Sequence, residues 1–140
     1  MEKAKIVQTN DIGGNPNGFL MELQKKGKYT SCYLTSVDPG AFKGYHLHRI
    51  RESNYVCIKG KVKVILYTKN GREEYIMSQG DKLNIPINTP TGLTNEWKEE
   101  GWLINFPNPY YDPDLKDEQE EFAEWECEKG LYNGSSASTW

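Results

Sequence analysis

The chain contains two histidines, His46 and His48, separated by a single residue. On a β-strand this spacing places both imidazoles on one face, and Glu52 shares that face if the strand continues. Histidine ionises close to neutral pH, so such a pair suits proton abstraction from a carbon acid or the binding of a metal ion. Half-exposed surface histidines have the same spacing, so the surrounding sequence must decide between these interpretations.

Two sets of regularly spaced residues surround the pair. In chain order they are Gly40-x5-His46-x-His48-x3-Glu52-x7-Gly60 and Gly80-x5-Pro86-x-Asn88-x2-Thr91-x3-Asn95. Both sets resemble the two motifs of the cupin superfamily. One extra residue precedes Gly60, Asn88 replaces a glycine, and Thr91 replaces a histidine. The resemblance implies an all-β fold, a cupin-type jelly-roll β-barrel whose interior receives the histidine pair.

The replacement at Thr91 bears on metal chemistry. Metal-using cupins hold the ion with three histidines and a carboxylate, a set suited to Fe, Mn or Ni. This chain offers His46, His48 and Glu52, so a metal-dependent cupin with two histidines and one carboxylate is an alternative. Because the third histidine is missing, we expect a protein that uses no metal and no cofactor.

Residues 39–67 and 85–114 carry a closer resemblance. They are similar to the metal-free cupins that act on nucleotide-linked 4-keto-6-deoxy sugars, namely the dTDP-4-dehydrorhamnose 3,5-epimerases and the dTDP-sugar 3,4-ketoisomerases. The likeness implies an isomerase with a nucleotide-sugar substrate, dTDP-linked as in those families, and a homodimer. The leading hypothesis is a metal-independent epimerase or isomerase, and a 3,4-ketoisomerase is an alternative. A non-catalytic sugar-binding cupin is a further alternative.

Site residues follow from the same resemblance. The epimerases carry their general base in an (R/K)-G-x-H core, which here begins at Lys43 and ends at His46, the predicted base. His48 and Tyr33 occupy positions typical of the ketoisomerases, and Asn105 stands where the epimerases have a catalytic tyrosine. The predicted catalytic residues are His46, His48 and Tyr33. The predicted substrate-binding residues are Lys43, Glu52, Arg51, Tyr45 and Asn105.

Short alternating segments separated by turn residues fill residues 4–105, which is typical of a β-sandwich or barrel. Asn70-Gly71 predicts a hairpin after the strand KVKVILYT. Beyond Asp112 the sequence becomes acidic, and Asp112 followed by Pro113 is a good helix start. We therefore expect a barrel over residues 1–115 and a short C-terminal helix or an acidic extended tail over 116–140.

Composition excludes several classes of function. The net charge is −3, which does not favour binding to nucleic acid or to an anionic membrane. No apolar run is long enough to span a bilayer, and the N-terminal residues lack the apolar core of a secretory signal, so we expect a cytoplasmic protein. The three cysteines are widely spaced and without a CxxC pair, which indicates free thiols rather than a disulfide framework or a zinc site.

Overall fold

The computed structural model describes residues 5–24, 31–109 and 119–132, and these form antiparallel strands and one short helix. The elements are β1 (Lys5–Asn10), β2 (Pro16–Gln24), β3 (Cys32–Val37), β4 (Phe42–His48), β5 (Ser53–Lys59), β6 (Lys61–Thr68), β7 (Gly71–Ser78), β8 (Lys82–Ile85), β9 (Thr91–Thr94), β10 (Gly101–Asn105), β11 (Gln119–Phe122) and α1 (Glu124–Glu128). One sheet has the strand order β1-β2-β3-β10-β5-β8 and the other β11-β4-β9-β6-β7. The all-β prediction is confirmed.

The hairpin predicted at Asn70-Gly71 joins β6 to β7. The two strands pair continuously from Lys61 opposite Ser78 to Thr68 opposite Gly71. Gly71 has a φ of 99°, a backbone conformation that favours glycine. A turn residue at this position therefore sets the register of the longest strand pair in the second sheet.

An inner core holds the two sheets together. It contains buried apolar side chains from both sheets, namely Val37, Cys57, Val62, Val64, Leu66, Met77, Ile85, Leu93 and Leu103. Val62, Val64 and Leu66 come from one face of β6, as the alternation in KVKVILYT predicts. Burying each such side chain contributes roughly 1.5–3 kcal/mol.

An outer cluster covers the other face of the second sheet. Its members are Tyr45, Leu47, Ile65, Tyr67, Phe122, Cys127 and Tyr132. Ile65 and Tyr67 lie on the face of β6 opposite to the inner core, so this strand is apolar on both sides. The last three members belong to the C-terminal segment, which therefore packs on the outside of the barrel.

The predicted short C-terminal helix is present, and it is preceded by a strand that the sequence did not predict. Residues 110–118 lie outside the described ranges, and with them the predicted helix start and the predicted boundary at residue 115. Residues Gln119–Phe122 form a strand on the edge of β4, and the helix is limited to Glu124–Glu128. Within the described ranges, no helix is long and apolar enough to cross a membrane.

Two motif positions show why their residue types matter. Gly60 turns with a φ of 62°, and a Cβ there would lie 2.3 Å from the carbonyl oxygen of Glu100. Asn88, which stands where the cupin motif has glycine, has a φ of 60°. Asparagine tolerates this left-handed conformation better than most residues, so the turn is kept despite the substitution.

Candidate functional site

A cavity of about 490 Å³ opens between the two sheets. The first sheet contributes polar and aromatic side chains from β1, β2, β3, β5 and β10, and the second contributes residues of β4, β9 and β11. A volume of this order suits a small-molecule ligand. Six of the eight predicted site residues line the cavity, namely Tyr33, Lys43, His46, His48, Arg51 and Asn105.

A β-bulge in β4 brings three of these residues to one side. Lys43 pairs with Leu93 and His46 pairs with Thr91, so β4 has one more residue than β9 between these two pairs. An extra residue reverses the side-chain alternation of a strand. Lys43 therefore lines the cavity together with His46 and His48, although its spacing from His46 would place it on the opposite face of a regular strand.

Two tyrosines flank Asn105 on the first sheet. Asn105 pairs with Tyr33 on β3 and with Tyr55 on β5, and all three residues line the cavity. The Asn105 carboxamide oxygen accepts a hydrogen bond of 3.1 Å from the backbone N–H of Asn54. Burial raises the pKa of Tyr55 to about 12, with Arg51 opposing the shift, so this phenol is a neutral donor. A tyrosine therefore lies on each side of Asn105, the position that corresponds to the catalytic tyrosine of the epimerases.

Both imidazoles of the cavity are held in the neutral form. Burial is the largest cause that lowers the pKa of His46; Glu121 opposes the shift and Lys43 adds to it. Burial, then Arg51 and His46, lower the pKa of His48 to about 3. Neutral imidazoles can accept a proton at one nitrogen and donate a hydrogen bond from the other. A pKa of about 3 makes His48 a weak base near neutral pH, so His46 is the better proton acceptor of the pair and His48 the better hydrogen-bond partner.

Two cations line the same cavity. Lys43 and Arg51 are each only 8% exposed. Lys43 Nζ donates to the backbone oxygen of Phe19 at 3.4 Å, and burial lowers its pKa to about 8 against the opposing effect of Asp38. A largely buried ammonium is stabilised by an anionic or strongly polar ligand, so the cavity suits a negatively charged or enolate-forming compound.

Strand β11 adds two residues that the sequence analysis missed. Gln119 and Glu121 pair with His48 and His46, respectively, and both line the cavity. The Gln119 amide lies 3.1 Å from Nδ1 of His46. A Cβ on Gly44 would lie 3.0 Å from Oε1 of Glu121, so the glycine leaves room for this carboxylate. The acidic composition of residues 119–122 does not indicate a strand beside the cavity, so the sequence did not predict a role for either residue.

The remaining two predicted site residues lie elsewhere. Tyr45 is fully buried in the outer cluster, where its hydroxyl donates to Glu124 Oε1 at 3.1 Å. Glu52 follows the end of β4 and pairs through its backbone with Asn108, and it is not among the cavity residues. Strand alternation turns Tyr45 outward, and β4 ends before Glu52, so neither side chain lines this cavity.

The side chains do not fit the metal centre that many cupins have. In the described parts of the chain, no group of three or more His, Cys, Asp or Glu side chains is arranged to hold a metal ion. Thr91 lies beside His46 at the usual third-histidine position, and its hydroxyl donates to the backbone oxygen of Thr89 at 3.0 Å. With Glu52 outside the cavity, the set of two histidines and Glu52 is not assembled.

Known structures share this fold at low sequence identity. The capsular polysaccharide assembling protein CapF from Staphylococcus aureus aligns with a TM-score of 0.71 and 18% identity, over 85% of this chain and 32% of that chain. An oxalate oxidase aligns with a TM-score of 0.61 and 19% identity, over 72% and 56%. Vicilin from Corylus avellana aligns with a TM-score of 0.63 and 18% identity, over 86% and 34%.

These likenesses establish the fold and no more, and the chain spans only about a third of the length of CapF. The predicted cupin jelly roll is confirmed. No curated protein matches the chain. A family profile described as "FdtA: WxcM-like, C-terminal" matches residues 9–126, which is most of the sequence and includes every cavity residue named above. The chain therefore belongs to the FdtA/WxcM-like C-terminal family, a sugar-modifying family of cupins, and it resembles the dTDP-sugar isomerases.

Proposed function

We propose that the protein isomerises a nucleotide-linked 4-keto-6-deoxy sugar by removing a proton from a carbon next to the ketone. The observation that carries the proposal is the placement of two neutral imidazoles beside the buried Lys43 ammonium in one cavity. An imidazole takes the carbon proton, and N–H donors and the ammonium stabilise the negative charge that develops on the ketone oxygen. Neither step requires a bound metal.

The position to which the proton returns determines the product. Return to the opposite face of the same carbon inverts that centre, which is epimerisation. In a 3,4-ketoisomerisation the C3–H bond breaks and a C4–H bond forms, while the proton of the C3 hydroxyl passes to the former ketone oxygen. We favour ketone migration, because Asn105 replaces the epimerase tyrosine while Tyr33 and the histidine pair match the ketoisomerases.

The nucleotide diphosphate adds a second requirement. Two phosphates carry negative charge, and Arg51 is the cation among the cavity residues that is left for them when Lys43 serves the ketone oxygen. Arginine binds phosphate oxygens with two parallel hydrogen bonds, whereas lysine acts as a point charge. We infer a dTDP-sugar as the substrate, and a cytoplasmic homodimer remains the prediction for location and assembly.

The test is proton NMR of dTDP-4-keto-6-deoxyglucose with the protein in heavy water. We expect the C3 proton signal to disappear and a 3-keto sugar to form. Exchange at C5 with an inverted product would instead identify an epimerase. The Glu52→Gln variant is the control, since Glu52 lies outside the cavity and its replacement should leave the rate unchanged. Binding without exchange or product would overturn the proposal in favour of a sugar-binding cupin.

A further inference from the structure

The wall of the cavity contains an amide oxygen that has no hydrogen-bond partner. Asn17 lies in β2, lines the cavity and is 3% exposed. Its Nδ2 donates to the backbone oxygen of Phe42 at 3.0 Å, and its backbone oxygen accepts from the N–H of Asp38 at 3.2 Å. Among the residues that the structure describes, no group donates to Asn17 Oδ1. A buried acceptor without a donor costs free energy, so this oxygen suits a donor group of a ligand.

The orientation of this amide follows from its partner. A backbone oxygen only accepts, so the NH2 group of Asn17 must face Phe42, and the amide oxygen is left for another donor. A second polar group lies nearby on β1. Thr9 pairs with Gly18 and lines the cavity, and its hydroxyl also has no partner among the described residues. The two side chains together form a polar end of the cavity that the protein itself does not satisfy.

This polar end lies beside Lys43. The Asn17 amide donates to Phe42, the residue before Lys43, and Lys43 Nζ donates to the backbone oxygen of Phe19, two residues after Asn17. The two hydrogen bonds therefore connect the same short segments of β2 and β4 in opposite directions. Asn17 and Lys43 are thus neighbours on the cavity wall, although they belong to different sheets.

The charged groups give the order of the residues along the cavity. Burial lowers the pKa of both imidazoles, Lys43 adds to the shift of His46, and Arg51 adds to that of His48. Each cation therefore lies near one of the two histidines. From one end of the cavity to the other, the order is Asn17, Lys43, His46, His48 and Arg51.

This order determines how the sugar of the proposed function would lie. Its diphosphate is attached at C1, and the ketone at C4 is on the opposite side of the ring. With the phosphates at Arg51 and the ketone oxygen at Lys43, the groups that flank the ketone lie at Asn17. These groups are a hydroxyl on C3 and a methyl on C5. The ketone only accepts and the methyl is apolar, so the C3 hydroxyl is the donor that can reach Asn17 Oδ1.

We propose that Asn17 accepts a hydrogen bond from the C3 hydroxyl of the sugar and thereby directs proton removal to C3 rather than to C5. This inference rests on the proposed function and adds the residue that distinguishes the two carbons. Both carbons are next to the ketone, so both carry acidic protons. A ring turned over about its C1–C4 axis would place the methyl against Asn17 and Thr9 and leave the amide oxygen unpaired, which disfavours that orientation.

Binding of two unreactive ligands tests the contact directly. The ligands are dTDP-4,6-dideoxyglucose, which has no ketone and therefore cannot enolise, and its 3-deoxy analogue. We expect the wild type to bind the analogue about tenfold more weakly in isothermal titration calorimetry, because Asn17 Oδ1 then stays unpaired. Equal binding of both ligands would overturn the role of Asn17 alone. Binding of neither would overturn the dTDP-sugar assignment and this inference with it.

Asn17→Leu removes the acceptor at nearly constant shape. This variant should bind the two ligands within about twofold of each other, and a tenfold difference that persists would contradict the proposal. If it does not fold, Asn17→Asp replaces it, and this carboxylate should keep the preference for the hydroxyl because it still accepts. Asn54→Leu is the matched control. The Asn54 amide likewise donates to a backbone oxygen, that of Phe106 at 2.9 Å, but Asn54 does not line the cavity, so the preference should remain.

Exchange of ring protons tests the effect on the reaction. With dTDP-4-keto-6-deoxyglucose in heavy water, we expect the wild type to exchange the C3 proton faster than the C5 proton. In Asn17→Leu the ratio of the two rates should fall by about tenfold or more, since both ring orientations then bind. A purely structural role would slow both exchanges equally and leave the ratio unchanged, which would overturn the proposal. Faster exchange at C5 in the wild type would also overturn it, while sugar isomerisation itself would still stand.

Discussion

The two faces of β4 have opposite characters. On the outer face, Tyr45 and Leu47 have no exposed surface and pack against Tyr67 and Phe122. On the inner face, His46 and His48 line a cavity with the buried Lys43. Apolar side chains are stabilised by burial, whereas imidazole and ammonium groups lose hydration there. The outer face therefore contributes stability, and the inner face retains groups that burial disfavours.

The C-terminal segment contacts both faces and links them. Gln119 and Glu121 extend from β11 into the cavity, and Phe122 of the same strand belongs to the outer cluster. Helix α1 adds Cys127 to that cluster and places Glu124 against the Tyr45 hydroxyl. Packing on the outside thus fixes the strand that supplies two side chains to the inside. The effects of substitutions on the two faces should therefore be separable. Substitutions on the inner face should lower the catalytic rate, and substitutions on the outer face should lower the free energy of unfolding.

The largest effect is expected on the inner face. His48→Ala should lower the rate of sugar isomerisation by about 100- to 10,000-fold, since a positioned acid–base group is removed. The midpoint of thermal unfolding should not fall, because the imidazole is a polar group whose burial costs free energy. The rate is measured by product formation, and unfolding by circular dichroism. A rate within threefold of the wild type, about 0.65 kcal/mol in activation free energy, would remove His48 from the chemistry.

Leu47→Ala should have the complementary effect on the outer face. Leu47 is fully buried, so the lost apolar contact and the cavity left behind should cost about 2–5 kcal/mol in free energy of unfolding. Urea denaturation measures this cost. The kcat of the remaining folded protein should equal that of the wild type. A reduced kcat with unchanged stability would show that the two faces are not separable.

Lys43→Met should stabilise the protein while weakening substrate binding. Burial lowers the pKa of Lys43 from its usual 10.5 to about 8, so the ammonium costs on the order of 1–3 kcal/mol at pH 7. Below pH 8 the folded protein carries this charge and the variant is more stable. As pH rises from 8 to 10.5 the folded form loses its proton first, so the advantage of the variant should disappear.

Denaturation of both proteins over this pH range checks the sign of the effect. Lys69→Met is the control, because Lys69 is exposed in the β6–β7 turn and should change stability little at any pH. A Lys43→Met variant that is less stable at pH 7 would show that the ammonium is satisfied in the free protein. Unchanged substrate affinity would argue against a role for Lys43 in binding.

Local patterns in the sequence predicted most of the barrel. The alternation in β6, the Asn70-Gly71 turn and the spacing of His46 and His48 all depend on neighbouring residues, and the structure reproduces them. The same alternation also accounts for Tyr45. Its neighbours Gly44 and His46 both line the cavity, so the side chain between them points to the other face of the strand.

Features that depend on the tertiary structure were not predictable. The bulge that turns Lys43 inward appears only in the pairing of β4 with β9. Glu52 left the predicted face because the chain bends after His48. Residues 119–122 form a strand despite their acidic composition, because the edge of β4 supplies backbone partners. Gln119 is 73 residues from His46, so no local pattern could connect the two.

The smallest expected effect tests how the outer face holds the C-terminal segment. The hydroxyls of Tyr45 and Tyr67 donate to the same Glu124 oxygen, at 3.1 and 3.2 Å. Tyr45→Phe removes one donor and leaves the ring packing intact, so unfolding should become easier by about 0.5–1.5 kcal/mol. Tyr67→Phe is the matched variant, and the double variant should cost more than the sum of the two, since either hydroxyl alone still donates to the shared carboxylate oxygen. Strict additivity of the free energies from urea denaturation would show that the two hydroxyls act independently. The kcat should be unchanged in all three proteins, because Phe122 still anchors β11 in the outer cluster.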